Sequence, residues 1–95
     1  MIYEYGIFWE DEAGTNKEAG PYCYTIDDAR KEGYEALMNP RRMMNSLTLY
    51  RFTYPEGPFG RIGRLYERNG IVYYQNLIKK TRYALKRDGT LGKKV

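Results

Sequence analysis

Asn69-Gly70 stands between two runs rich in aromatic and branched residues, Arg61 to Arg68 and Ile71 to Asn76, and no other dipeptide constrains the fold as much. A two-residue type I′ loop needs positive φ at both central positions, which Gly adopts freely and Asn tolerates, so the pair joins two antiparallel strands in one register. In that register Arg68 faces Ile71, Tyr66 faces Tyr73, Arg64 faces Gln75 and Ile62 faces Leu77. Directly opposed residues share a face. One face therefore carries Ile62, Arg64, Tyr66, Arg68, Ile71, Tyr73 and Gln75, and the other Gly63, Leu65, Glu67, Val72, Tyr74 and Asn76. The second supplies the apolar side chains and is expected to meet the core, with Gly63 leaving space for a close-packed helix. The first is expected to be exposed.

The remaining elements follow from local signals. Ile2 to Trp9 has the composition of a half-buried strand and ends in Glu10-Asp11-Glu12. Residues 13 to 20 read as an exposed loop, and Pro21 to Tyr24 as a short extended segment. Thr25 has the chemistry of an N-cap, with Asp27 and Asp28 in the first turn where negative charge meets the positive end of the helix. The helix is predicted to run to about Met38, because Asn39-Pro40 stops it. Ile26, Ala29, Gly33, Ala36 and Leu37 form its apolar stripe, with Arg30, Lys31, Glu32 and Glu35 expected in solvent. A strand over Leu47 to Tyr54, a Gly/Pro-rich loop over 55–60, the hairpin, and a last strand over about Lys79 to Lys86 complete the series. Asp88-Gly89 then turns the chain into a basic tail over 88–95. The prediction is a single α+β domain over residues 1–95 in two layers. One helix packs on an antiparallel sheet of about four to five strands, in the order β-α-β-β-β.

Composition limits the core. In a chain of 95 residues, 15 Ile, Leu and Val are matched by 15 aromatics, of which 11 are Tyr. A buried Tyr needs a partner for its hydroxyl, so many of these rings are expected half-buried or on a surface platform. The net charge of +4 conceals a strong asymmetry. Residues 1–40 hold three basic and nine acidic side chains, a balance of −6, whereas residues 41–95 hold thirteen basic and three acidic ones, a balance of +10. The basic half is a candidate phosphate footprint.

Several chemistries lack their residues. With no His and only Cys23, the chain has no Cys/His zinc site, no His-based triad and no internal disulfide, and no cofactor or metal is expected. Gly57, Gly60 and Gly63 recur at threes, but no Lys-Ser/Thr follows and a strand comes next, so turn chemistry explains them. Tyr5-Gly6-Ile7-Phe8, with Tyr22-Cys23-Tyr24 and Arg30, resembles the opening of the GIY-YIG nuclease family. The second half lacks its glycine and no later helix is predicted to carry a metal-binding glutamate, so no nuclease is inferred. A metal-free ribonuclease with Glu67 as base and Arg64 or Arg68 as stabiliser is disfavoured by Glu67 lying on the opposite face from both arginines. No catalytic residue is assigned.

The expected function is a non-catalytic binding module whose Tyr/Arg-rich sheet face engages nucleic acid or a protein–nucleic acid complex. Arg64, Tyr66, Arg68, Tyr73 and Gln75 form that face, Lys80, Arg82 and Lys86 extend it on the following strand, and Arg41 and Arg42 are secondary candidates beside the adaptable Met43-Met44. The bland reading of the same residues is a cross-strand Tyr66–Tyr73 pair shielded by arginine stems, which stabilises the hairpin and does nothing else. The alternative function is a protein-binding adaptor, or an inhibitor of a larger nucleic-acid enzyme of the kind that phages and mobile elements encode. Its partner would be a nucleic-acid-processing protein. No run of about 18 apolar residues or secretory leader is present, so a soluble, cytoplasmic protein without a membrane partner is expected. An uncovered edge strand would leave room for a homo-oligomer.

Overall fold

The computed structural model describes residues 2–54 and 60–95, apart from the side chain of Tyr54. Seven strands, β1 (Ile2–Glu10), β2 (Asn16–Glu18), β3 (Ser46–Tyr54), β4 (Gly60–Arg68), β5 (Ile71–Asn76), β6 (Arg82–Leu85) and β7 (Leu91–Lys94), form one antiparallel sheet in the order β2-β1-β3-β4-β5-β6-β7. The helix α1 (Ile26–Met38) lies on one face of that sheet, against β1, β3, β4 and β5. The two-layer α+β architecture is the one anticipated, but four to five strands understates the sheet. Two strands fall where a loop and a tail were expected. β2 has three residues, all exposed, and is held by pairing with Phe8, Trp9 and Glu10. β7 has four residues and pairs with β6. Neither has the length or apolar pattern that marks a strand in sequence. The loop expected over 55–60 lies outside the described residues except for Gly60, which opens β4.

The helix begins as its cap chemistry requires, with Thr25 in an extended conformation and its side chain accepting from the Asp28 N–H at 3.1 Å. Ala29, Gly33 and Leu37 are buried, and Ile26 and Ala36 pack against the same core of Ile7, Leu47, Leu49, Leu65, Val72, Tyr74 and Leu85. The helix makes its close approach at Gly33, where a Cβ would stand 2.6 Å from Leu65 Cδ2. The space over Gly63, in contrast, is filled by Tyr74 from the neighbouring strand: a Cβ at Gly63 would lie 2.5 Å from Tyr74 Cζ.

Arg30 overturns one expectation. Instead of facing solvent it is 7% exposed, donates its Nε–H to the Gly89 carbonyl at 2.8 Å, pairs with Asp27 and sets its guanidinium 5.0 Å above the Tyr74 ring. It thereby ties α1 to the β6–β7 turn. In that turn Gly89 has φ +90°, and the Thr90 N–H and hydroxyl both donate to Asp88, which holds the Asp88 carboxyl below its ordinary range.

The Asn-Gly hairpin forms in the expected register, with Asn69 at φ 54° and Gly70 at φ 81° and pairs Arg68–Ile71, Tyr66–Tyr73 and Arg64–Gln75. Ile62 departs from its assigned face. On the β3 side Leu49 faces Gly63 and Tyr50 faces Arg61, so Ile62 is the extra residue of a bulge, and its side chain is buried with the core. A one-residue irregularity reverses which face the chain presents beyond it. It turns Ile62 inward and sends Arg61 to the opposite side.

The sheet order also explains where the charge asymmetry goes. Because neighbours in space are nearly neighbours in sequence, the acidic N-terminal strands occupy one edge and the basic strands β4 to β7 the other. Both edges are blunt. β2 is three exposed polar residues and β7 carries Lys93 and Lys94, features that discourage strand addition and give edge-mediated self-association no support.

Candidate nucleic-acid interface on the open sheet face

The face away from α1 is ordered by strand register. Phe8 faces Thr48, Thr48 faces Arg64, Arg64 faces Gln75 and Gln75 faces Arg82, so these five residues form a row across five adjacent strands. At about 4.8 Å per strand the row spans roughly 19 Å. The next row along the strands is Ser46, Tyr66, Tyr73 and Ala84, and the row on the other side is Gly6, Tyr50 and Arg61. From β3 to β6 this face carries Arg61, Arg64, Arg68 and Arg82 and, among the described residues, no acidic side chain. Glu67 points to the other face.

Tyr66 and Tyr73 stack across β4 and β5 with centroids 5.3 Å apart and planes 26° apart. The guanidinium carbons of Arg64 and Arg68 lie 5.1 Å and 5.9 Å from the Tyr66 centroid, within cation–π range. The cross-strand pair with arginine cover is therefore present. Both arginines remain exposed, and the ion pairs among the described residues involve neither of them, nor Arg82. The guanidinium groups of Arg64 and Arg68 are set over the Tyr66 ring and keep their charge exposed.

The other anticipated residues are distributed less evenly. Gln75 lies between Arg64 and Arg82 in the central row. Lys80 is not on a strand: it closes the β5–β6 turn at φ 62°, where its N–H donates to the Asn76 carbonyl at 2.8 Å and the Asn76 side chain accepts from Ile78 and Lys79. Lys86 follows the last residue of β6 and is exposed. Arg41 is exposed, but Arg42 is engaged: its guanidinium donates to Glu67 at 2.9 Å, while the other Glu67 oxygen accepts from the Gly70 N–H at 2.8 Å. Glu67 thus braces the hairpin from the side opposite Arg64 and Arg68. Met43 is 82% exposed, and with Met44, Glu10, Asp11 and Glu12 it lines a cavity of about 390 Å³ whose acidic rim is unsuited to phosphate.

Two features of this face escape a reading of the sequence. Arg61 joins it only through the bulge at Ile62. The second is an aromatic cluster of Phe8, Tyr22, Tyr50 and Phe52, in which Phe8 and Tyr50 meet edge-to-face at 5.3 Å and Tyr22 lies 5.4 Å from Phe52. These rings and Asn16 line a cleft of about 210 Å³. Gly6 makes the cluster possible, since a Cβ there would stand 2.6 Å from Tyr22 Cε1 and 3.0 Å from Phe8 Cε1. The segment carrying Tyr22 is fixed by two backbone hydrogen bonds between Tyr5 and Cys23, at 2.7 and 2.8 Å. A glycine amid strand aromatics is the signal that could have exposed this close approach.

No family model, curated protein or solved structure matches the chain. The chemistry of the site rests on its own residues. Among the described residues no group of His, Cys, Asp and Glu could hold a metal ion, and no helix is long and apolar enough to cross a membrane. Burial, with the nearby charges of Glu32 and Asp28, pushes the Cys23 thiol above its ordinary value, so it is a poor nucleophile at neutral pH.

Proposed function

We propose that the protein is a non-catalytic module that binds nucleic acid through the open face of β3 to β6. The observation that carries this reading is the set of four arginines on the β3 to β6 part of this face, which holds no acidic side chain among the described residues and also presents stacked tyrosines. Arginine forks engage phosphate oxygens, rings offer stacking surfaces, and the sheet holds both in one plane. Hairpin stabilisation alone leaves the exposed guanidinium groups of Arg64, Arg68 and Arg82 without a task. A cytoplasmic site of action fits such a partner.

Affinity for generic RNA and DNA, measured at two salt concentrations, tests the proposal. Binding should weaken steeply with salt as bound phosphates release their counterions, and removing one phosphate-binding arginine should lower the logarithmic salt slope by about one. The triple variant Arg64→Glu, Arg68→Glu, Arg82→Glu should abolish binding while the circular-dichroism spectrum stays unchanged. Absence of binding at low salt defeats the proposal. Tyr and Arg are also favoured anchors in protein interfaces, so a stoichiometric protein partner that survives nuclease treatment would replace this reading with an adaptor or inhibitor role.

A further inference from the structure

We infer that the ligand of this face is single-stranded, with an unpaired base entering the cleft formed by Phe8, Tyr22, Tyr50, Phe52 and Asn16. The inference rests on the nucleic-acid reading above and adds to it the strandedness of the partner and a second contact region. The cleft and the arginines belong to one surface. Phe8 heads the row that continues through Thr48 and Arg64 to Arg82, and Tyr50 directly faces Arg61. A backbone following the arginines thus reaches the cleft within one or two strand spacings, about 5 to 10 Å.

The cleft suits a base. Its walls are rings at several inclinations: Phe8 and Tyr50 at 90°, Tyr22 and Phe52 at 49°, Tyr50 and Phe52 at 26°. An aromatic plane entering it therefore meets both a stacking face and ring edges. Asn16 contributes an amide, which both donates and accepts and so can satisfy a base edge. In a duplex the faces of the bases are stacked on one another and unreachable from a flat sheet, whereas unpaired bases can splay out onto aromatic side chains. The charge divides the two contacts. Arg61 and Arg64 border the cleft on the β4 side, with no acidic side chain on this face from β3 onward among the described residues, whereas Glu4, Glu18 and Glu10 stand opposite Phe52, Phe8 and Asn16 on the β1–β2 side. The phosphates therefore keep to the arginines and only the uncharged base enters the cleft. Tyr22 is 47% exposed and closes the outer wall.

Fluorescence anisotropy with labelled oligo-dT, oligo-U and a mixed-sequence duplex of equal length separates the possibilities. The single strands should bind about tenfold more tightly than the duplex, the effect expected from one stacked base. Tyr22→Ala should remove most of that preference with little change in duplex affinity, and Tyr22→Phe, which keeps the ring, should retain it. Gly6→Ala, whose Cβ displaces Tyr22, should reproduce the loss. Thermal melts of each variant verify folding. Equal affinity for single strand and duplex, or a preference unchanged in Tyr22→Ala, overturns the inference and leaves the nucleic-acid reading standing. No binding of any of the three probes at low salt overturns both.

Discussion

Tyr73 and Tyr74 are adjacent on β5, point to opposite faces, and each lies in a group of arginine and tyrosine, yet the two settings differ in what is left over. On the helix side Tyr74 is 2% exposed, and the arginine above it, Arg30, is held by Gly89 and Asp27. On the open side Tyr73 stacks on Tyr66, and the arginines beside that ring keep exposed guanidinium groups with no acidic partner among the described residues. The same pair of residue types closes a structure on one face and presents a surface on the other. Burial and the supply of acceptors decide which.

Glycine substitutions should divide the faces most sharply. Gly89 sits at φ +90°, and a Cβ there would crowd the Asp27 carbonyl and come within 2.8 Å of the Lys31 N, both helix backbone that cannot yield without moving α1. Gly89→Ala should cost about 3 kcal/mol or more. Gly6→Ala also creates a close approach, but to an exposed tyrosine ring that can swing away, and should cost about 1 kcal/mol. Chemical denaturation of the two variants measures the difference. Equal costs would mean that Tyr22 is as firmly fixed as the helix backbone.

The arginines should follow the same division at smaller magnitude. Arg30→Met leaves the Gly89 carbonyl without its donor and removes the cation over Tyr74, at a cost of about 2 kcal/mol. Arg64→Met leaves no buried acceptor unmet, should change stability by about 0.5 kcal/mol or less, and should weaken nucleic-acid binding several-fold. A variant pair in which Arg64 governs stability and Arg30 does not would reduce the open-face cluster to a hairpin brace.

How far these roles are legible in the sequence depends on the range of the interactions that set them. The hairpin register is legible because Asn69-Gly70 acts over two residues, and the helix because its cap, stripe and stop are all local. Arg30 defies its helical position because its acceptor, Gly89, lies 59 residues away and nothing in helical spacing announces it. Arg61 is hidden because a bulge, not alternation, chooses its face. The aromatic cleft joins β1, β3 and the segment before α1, so it depends on a strand pairing that no local pattern specifies. The basic face is legible because both its central strands belong to the hairpin itself.

A pH-dependent effect isolates the phenol of Tyr74. Burial raises its pKa, while the charge and hydrogen bond of Arg30 pull the other way without cancelling that rise. A tyrosine whose folded pKa is raised above its unfolded one contributes stability that is complete below the unfolded value, about 10, and is lost as pH rises through the folded value. The window therefore lies above about pH 10, where the unfolded chain ionises Tyr74 first and is favoured by doing so. Tyr74→Phe should cost about 1 kcal/mol at neutral pH through removal of the hydrogen bond, and should flatten the decline in stability between neutral pH and the alkaline limit. Tyr73→Phe, which keeps the stacked ring, should hold nucleic-acid affinity within about twofold. Urea midpoints across the alkaline range, set beside binding titrations at neutral pH, measure both. If Tyr74→Phe leaves the alkaline decline as steep as in the natural chain, the buried phenol is not its source, and the distinction between a closed and an open tyrosine rests on packing alone.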